Sequence, residues 1–188
     1  MLKKGYIIDN NGFEYSRISD KFDNLLNDPP YHIDLSGALL NNLSKDEAIH
    51  IFCYTGSSGT WINNIIKNRT LRSNSNAIMF VELLDKALSK ILPTTEKYLY
   101  HNAQREPLDL INSFTISNYL STSKDDYNND NELIVWRITP KRNSLGRDIS
   151  NITGNNTEKE VLFCRESRFK FINSYKEGHT LYYNLIEV

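Results

Sequence analysis

The chain has 188 residues, of which 39% are hydrophobic and 24% charged, and its net charge is -1. That length can bury one sizeable core, and the balance is that of an ordinary globular protein. Acids and bases are interspersed, which excludes the basic footprint of a nucleic-acid binder or an anionic-membrane binder.

The N-terminus, Met1-Leu2-Lys3-Lys4-Gly5-Tyr6-Ile7-Ile8-Asp9, is basic but has no apolar run of signal-peptide length. No later segment reaches membrane-spanning length, so neither leader nor spanning helix is predicted. Residues 1–42 read as a helical or irregular extension of one domain covering 1–188. Ser44-Lys45-Asp46-Glu47 is a capping box, followed by Ala48, Ile49, Ile51 and Phe52 as an apolar helix face. Tyr54 to Gly59 is a Gly/Ser turn, and Trp61, Ile62, Ile65 and Ile66 mark a short amphipathic helix. A third helix is predicted from about Asn76 to Leu92, with Ile78, Val81, Leu84, Ala87, Leu88 and Ile91 as its buried stripe and Pro93 as its stop.

From there the pattern changes to strands. Tyr98–Tyr100, Tyr119–Ser123, Leu133–Ile138, Val161–Phe163, Phe169–Ile172 and Thr180–Val188 are short, aromatic or β-branched runs between polar loops. Helices first and strands later predict an α+β fold: an N-terminal helical layer packed on a mainly antiparallel β-sandwich core. Cys53 and Cys164 sit in apolar surroundings without a Cys-x-x-Cys or a histidine at ligand spacing. They read as small core residues in a reducing compartment, and no metal site is expected.

Four ordered pieces carry chemistry. Glu158-Lys159-Glu160-Val161-Leu162-Phe163 places two carboxylates two residues apart where a polar loop enters an apolar run. A strand has a side-chain period of two, so both acids are expected on one face. Alone, that pattern is most simply a solvated strand end. As a pair in an active site, one carboxylate can stabilise a developing cation while the other deprotonates or orients a nucleophile. Phe114-Thr115-Ile116-Ser117-Asn118-Tyr119-Leu120-Ser121-Thr122-Ser123 supplies hydroxyls that can fix a carboxylate. Tyr54-Thr55-Gly56-Ser57-Ser58-Gly59-Thr60-Trp61-Ile62-Asn63 is a turn before a helix, able to offer backbone N–H groups to an anion such as pyrophosphate. Tyr98-Leu99-Tyr100-His101-Asn102 is an aromatic strand ending in a histidine, with Arg105 close behind.

Together, from about Leu43 to Val188, these pieces resemble the mono-ADP-ribosyltransferases of the Arg-Ser-Glu class, which include bacterial exotoxins and phage-encoded arginine ADP-ribosyltransferases. The resemblance implies that Glu160 is the catalytic acid, that Ser121 orients it, and that Glu158 engages an arginine acceptor. It implies NAD as a consumed substrate, bound in a cleft between helices and sheet without a metal. The dinucleotide contacts it implies are Asn63, Tyr127 over the nicotinamide, and either His101, which stands where the family has arginine, or Arg105. Tyr54 is expected mainly to pack. The loop from Asn151 to Thr157 would meet the target.

The implied activity is that of a glycosyltransferase-class enzyme moving ADP-ribose from NAD to protein arginine with release of nicotinamide. The alternatives are an NAD glycohydrolase and a catalytically weak binding module on the same fold. The expected partners are NAD and an unidentified host protein, with no nucleic acid and no membrane. A monomer is expected, acting in the cytoplasm of a host cell as a phage-expressed or injected effector.

Overall fold

The computed structural model describes residues 7–8, 14–15, 41–55, 59–103, 105–126, 134–152 and 159–188. It divides into two compact units, Met1–Lys90 with Ile152–Gly154, and Ile91–Asn151 with Asn155–Val188.

The first unit begins with a two-stranded antiparallel pair, β1 (Ile7–Ile8) and β2 (Glu14–Tyr15). Helix α1 (Lys45–Cys53) opens on the expected capping box. Glu47 N–H donates to Ser44 Oγ at 3.2 Å, and Ser44 N–H donates to Glu47 Oε2 at 2.8 Å. Two of the donors that every helix start leaves unpaired are thereby satisfied. Glu47 also meets Lys90 Nζ at 2.7 Å, joining the start of α1 to the end of α3 (Ser75–Lys90). Burial pushes the Glu47 carboxyl up, but the bonds from Lys90 and the Ser44 N–H outweigh it and hold it below the usual carboxylate range.

Helix α2 (Gly59–Lys67) buries Trp61, Ile62, Ile65 and Ile66, the residues expected from the spacing. It can start at residue 59 only with glycine: a Cβ there would lie 2.3 Å from the Tyr54 carbonyl oxygen. A 3-10 turn (Leu71–Ser73) leads to α3, whose N-terminus is capped by Asn74, with Oδ1 accepting from Ala77 N–H at 3.0 Å. Ala77, Phe80, Val81, Leu84, Ala87 and Leu88 are buried along α3. The helix ends at Lys90, two residues before the predicted end at Leu92. Ile91 stays buried outside it, and Leu92 points into solvent.

The second unit is an eight-stranded sheet, ordered β4-β9-β10-β6-β3-β5-β8-β7. Its strands are β3 (Leu99–Asn102), β4 (Ser113–Ile116), β5 (Leu120–Ser123), β6 (Ile134–Thr139), β7 (Gly146–Asp148), β8 (Glu160–Phe163), β9 (Ser167–Glu177) and β10 (Thr180–Glu187). Strands β6 and β10 run parallel and every other neighbouring pair is antiparallel. The fold is therefore α+β with a mostly antiparallel sheet, as the order of elements predicts.

One sheet face carries the core: Leu99, Phe114, Ile116, Leu120, Trp136, Ile138, Val161, Phe163, Phe169, Tyr183 and Leu185. Phe163 meets Phe169 edge-on at 5.2 Å, and Phe114 meets Trp136 edge-on at 6.0 Å, the aromatic geometry that puts a positive ring edge against a negative face. β4 and β7 are not predicted from sequence, and β9 runs to Glu177 rather than stopping at Ile172. Gly146-Arg147-Asp148 has no strand-forming side chain. It becomes a strand because β8 offers it a ladder and because Gly146 fits: a Cβ there would stand 3.0 Å from Thr94 Cγ2 and 3.2 Å from Val161 Cγ1.

Candidate active site

Strand β8 is buried at all four positions, and its first residue is an acid, Glu160, with 8% of its surface exposed. A carboxylate in such a place needs a donor to offset the loss of water. Ser121 on β5 supplies one: its Oγ donates to Glu160 Oε1 at 2.6 Å. In register Ser123 pairs with Glu160 and Ser121 with Leu162, so the bond runs diagonally across two strands on a shared face. Between these residues Thr122 points to the other face, where its Oγ1 donates to the Val161 carbonyl at 2.6 Å and locks the register.

The main chain around Glu160 is held on both sides. Ile149 N–H donates to the Glu160 carbonyl at 3.1 Å, and Lys124 N–H donates to the Lys159 carbonyl at 3.2 Å. Beyond them Lys124 Nζ pairs with Asp148, whose Oδ1 accepts from Ser150 Oγ at 2.6 Å.

His101 on β3 meets the main chain of Ser121. Its Nδ1 is 2.8 Å from the Ser121 carbonyl oxygen. A carbonyl can only accept, so Nδ1 carries the hydrogen, and Nε2 accepts when the ring is neutral and donates when it is charged. The β3–β5 ladder pairs Tyr100 with Ser123, and the His101 imidazole takes the carbonyl two residues before that partner. The ring packs on Trp136 at 5.3 Å. Trp136 Nε1 donates to the Arg105 carbonyl at 3.2 Å, while the Arg105 side chain is exposed. Next to it, Glu106 accepts from the Tyr183 hydroxyl, which is pushed up to about 12, first by burial and then by that bond. Both candidate dinucleotide clamps therefore hang on one tryptophan, a residue that sequence reasoning missed. A tryptophan in an apolar strand gives no signal for that role.

The structure thus brings the Ser121 and Glu160 side chains together; His101 meets only the Ser121 main chain, its ring packed on the core face against Trp136, and the Arg105 carbonyl is tethered to the same tryptophan. Asn63 belongs to the helical unit, where its Nδ2 donates to the Tyr54 hydroxyl at 2.9 Å; Tyr54 is buried and packs, as expected. Glu158, Tyr127 and Gly56-Ser57-Ser58 lie outside the described residues, as does most of the loop from Asn151 to Thr157. One expectation is corrected. The period-two argument for Glu158 and Glu160 requires Lys159 to be extended, but β8 begins at Glu160 and Lys159 has φ 42°. The alternation of a strand does not run through a left-handed residue.

A polar and aromatic row shares Glu160's face. Register links Glu160 to Ser123, Ser123 to Tyr100, and Tyr100 to Arg137. The Arg137 guanidinium sits 4.5 Å from the Tyr98 ring and 5.6 Å from the Tyr175 ring. Tyr175 stacks on Tyr182 at 4.8 Å, and the Tyr182 hydroxyl donates to Asp126 Oδ2 at 2.9 Å. Burial, then the Asp126 bond, raises the Tyr182 hydroxyl well above its ordinary range. Among the described residues no group of three or more His, Cys, Asp or Glu is placed to hold a metal ion. No described helix is long and apolar enough to cross a membrane.

Residues 112–183 match the family model described as ADP-ribosyltransferase exoenzyme. No curated protein sequence matches the chain. Among solved structures, the fold is similar to that of Plx2a, an ADP-ribosyltransferase toxin from Paenibacillus larvae, with a TM-score of 0.67 at 17% identity over 97% of this chain and 100% of that one. It is similar to an ADP-ribosyltransferase from Clostridium botulinum, with a TM-score of 0.66 at 17% identity over 78% of this chain and 88% of that one. Exoenzyme S from Pseudomonas aeruginosa, solved with human 14-3-3 protein beta and bound to carba-NAD, gives a TM-score of 0.65 at 15% identity over 90% of this chain and 89% of that one. The matched segment contains Ser121 and Glu160. The fold is that of the ADP-ribosyltransferases.

Proposed function

We propose that this chain cleaves NAD and transfers its ADP-ribose to an arginine side chain of a protein, releasing nicotinamide. The observation that carries the reading is the 2.6 Å bond from Ser121 Oγ to Glu160 Oε1 inside the segment that matches the family model. A carboxylate fixed at one oxygen keeps a single aim, and its other oxygen can meet a hydroxyl of the nicotinamide ribose.

In the proposed step the bond between the anomeric carbon and the nicotinamide nitrogen breaks, and nicotinamide leaves with the electron pair as a neutral molecule. The ribose is left with oxocarbenium character. Negative charge on Glu160, largely out of water, stabilises it more than the same charge would in solvent. A guanidine nitrogen then forms the new bond to the anomeric carbon and loses a proton, which Glu158 is proposed to accept. His101, aimed through Ser121 and Trp136, and Arg105 are proposed to hold the dinucleotide, the guanidinium being the better match for its phosphates. Asn63 and Tyr127 are retained as proposed NAD contacts on the resemblance of their motifs alone.

The test is incubation of the protein with radiolabelled NAD and agmatine, a small guanidine acceptor. Labelled agmatine with released nicotinamide is the expected result. Free ADP-ribose without labelled acceptor would make the protein a glycohydrolase, and intact NAD would leave a fold without the activity.

A further inference from the structure

Glu160 is the first residue of β8, so the conformation of the residue before it sets the direction from which its side chain departs. That residue, Lys159, has φ 42°. A side chain with a Cβ enters this left-handed region at a steric cost, and glycine enters it freely. Glycine would relieve the backbone here, yet the position carries lysine.

Lys159 is held from the exit of β5 in two ways. The Lys124 N–H donates to its carbonyl at 3.2 Å, and Asp125 Oδ2 lies 2.8 Å from its Nζ. Asp125 is itself fixed, because its N–H donates to Ser123 Oγ at 3.0 Å. Strand β5 and the turn at its exit therefore contribute twice to the same acid: Ser121 bonds the Glu160 carboxylate, and Asp125 grips the residue before it. The side chains of Lys159 and Asp125 are 50% and 46% exposed, and an ion pair so wet contributes little to global stability. What it can do is select one local backbone state among several.

We infer that Lys159 is a positioning residue for Glu160: its ion pair with Asp125 holds residue 159 left-handed and so keeps the Glu160 carboxylate aimed at Ser121 and the reacting ribose. The inference rests on the NAD-cleaving reading above. The lysine touches neither substrate nor reacting atoms, so its removal should lower turnover without weakening NAD binding.

The experiment measures nicotinamide release from NAD by the full chain and its variants. Lys159→Met and Asp125→Asn should each lower kcat by about tenfold with KM for NAD within about twofold, the size of effect seen when a residue that orients a reacting group is lost. Lys159→Arg should restore most of the activity. The double variant should be no slower than either single one, because both remove one interaction. Lys159→Gly should also be slow despite its relaxed backbone, with a melting temperature no lower than that of the parent. Wild-type kcat in Lys159→Met, equal losses in Lys159→Met and Lys159→Arg, additive losses in the double variant, or full activity in Lys159→Gly would each overturn the inference. A rise in KM alone would overturn it too. A parent protein that releases no nicotinamide would remove the functional reading itself, and the positioning role with it.

Discussion

Ser121 on β5 and Glu160 on β8 are bonded diagonally, 2.6 Å from hydroxyl to carboxylate, across a ladder in which neither is the other's register partner. The diagonal leaves Ser123 opposite Glu160 and fixes the acid through Oε1. It also makes the aim of the acid depend on the β5–β8 register, which Thr122 secures from the opposite face by its bond to Val161.

Glu160→Gln keeps the shape and removes the charge. Nicotinamide release should fall to background with and without an acceptor, because a neutral amide cannot stabilise the developing cation. Ser121→Ala leaves the charge but loses its donor. Its kcat should fall by about 10–100-fold with little change in KM for NAD. Steady-state kinetics of nicotinamide release checks both, and an active Glu160→Gln would remove that residue from its role.

Glu158→Gln should separate the two half-reactions. Transfer of label to agmatine should be lost while some NAD cleavage survives, since the amide can neither pair with guanidinium as a charge nor accept its proton. Full transfer by this variant would show that the acceptor is not a guanidine or that Glu158 does not meet it.

His101→Ala should raise KM for NAD by about tenfold, the effect of losing a hydrogen bond and its packing, and by more than Arg105→Ala does. The reason is placement. His101 is fixed by the Ser121 carbonyl and the Trp136 ring, whereas the Arg105 side chain is exposed and must be ordered when it binds. The reverse order of effects would move the clamp to Arg105.

Glu47→Ala should destabilise the protein by about 1–2 kcal/mol, from a lost capping-box bond and the lost ion pair with Lys90. The pH dependence has a definite sign. The folded carboxyl is held below its unfolded value near 4.5, so its contribution is complete above that pH and is lost as pH falls through the lower folded value. Denaturant melts of parent and variant should differ at neutral pH and converge in strong acid.

Gly59→Ala should lower stability by about 1–3 kcal/mol, the usual size for forcing extra volume into a packed site. The new Cβ would stand 2.3 Å from the Tyr54 carbonyl, and α2 or the turn before it must move. A melting temperature equal to that of the parent would show that the turn relaxes without cost.

Much of the fold was legible because local physics wrote it. The capping box at Ser44 and Glu47 forms as read, and the Trp61, Ile62, Ile65 and Ile66 spacing buries one helix face. The apolar run after Glu160 becomes a wholly buried strand. β7 was not legible, because Gly146-Arg147-Asp148 has little strand propensity and becomes a strand only when β8 offers its ladder; β4 has strand-forming Phe114, Thr115 and Ile116 but is only four residues long and is not among the strands read from the sequence. The site shows the same division. Ser121 and Glu160 could be named from their order along the chain, since the types required by the chemistry stand in the family's sequence. The roles of Trp136 and Lys159 could not, because a tether through Nε1 and a left-handed φ are properties of where other strands lie.

Which residues cap, bury or carry charge can be read along one segment, from side-chain chemistry and periods of 3.6 and 2. That β8 begins at Glu160, that β5 lies beside it in this register, and that Asp125 reaches Lys159 all required the assembled sheet. Those outcomes depend on pairing between residues 34 or more positions apart in the chain, as Asp125 and Lys159 are. The free energy that selects such pairings comes from the whole sheet and its core, and no local window contains it.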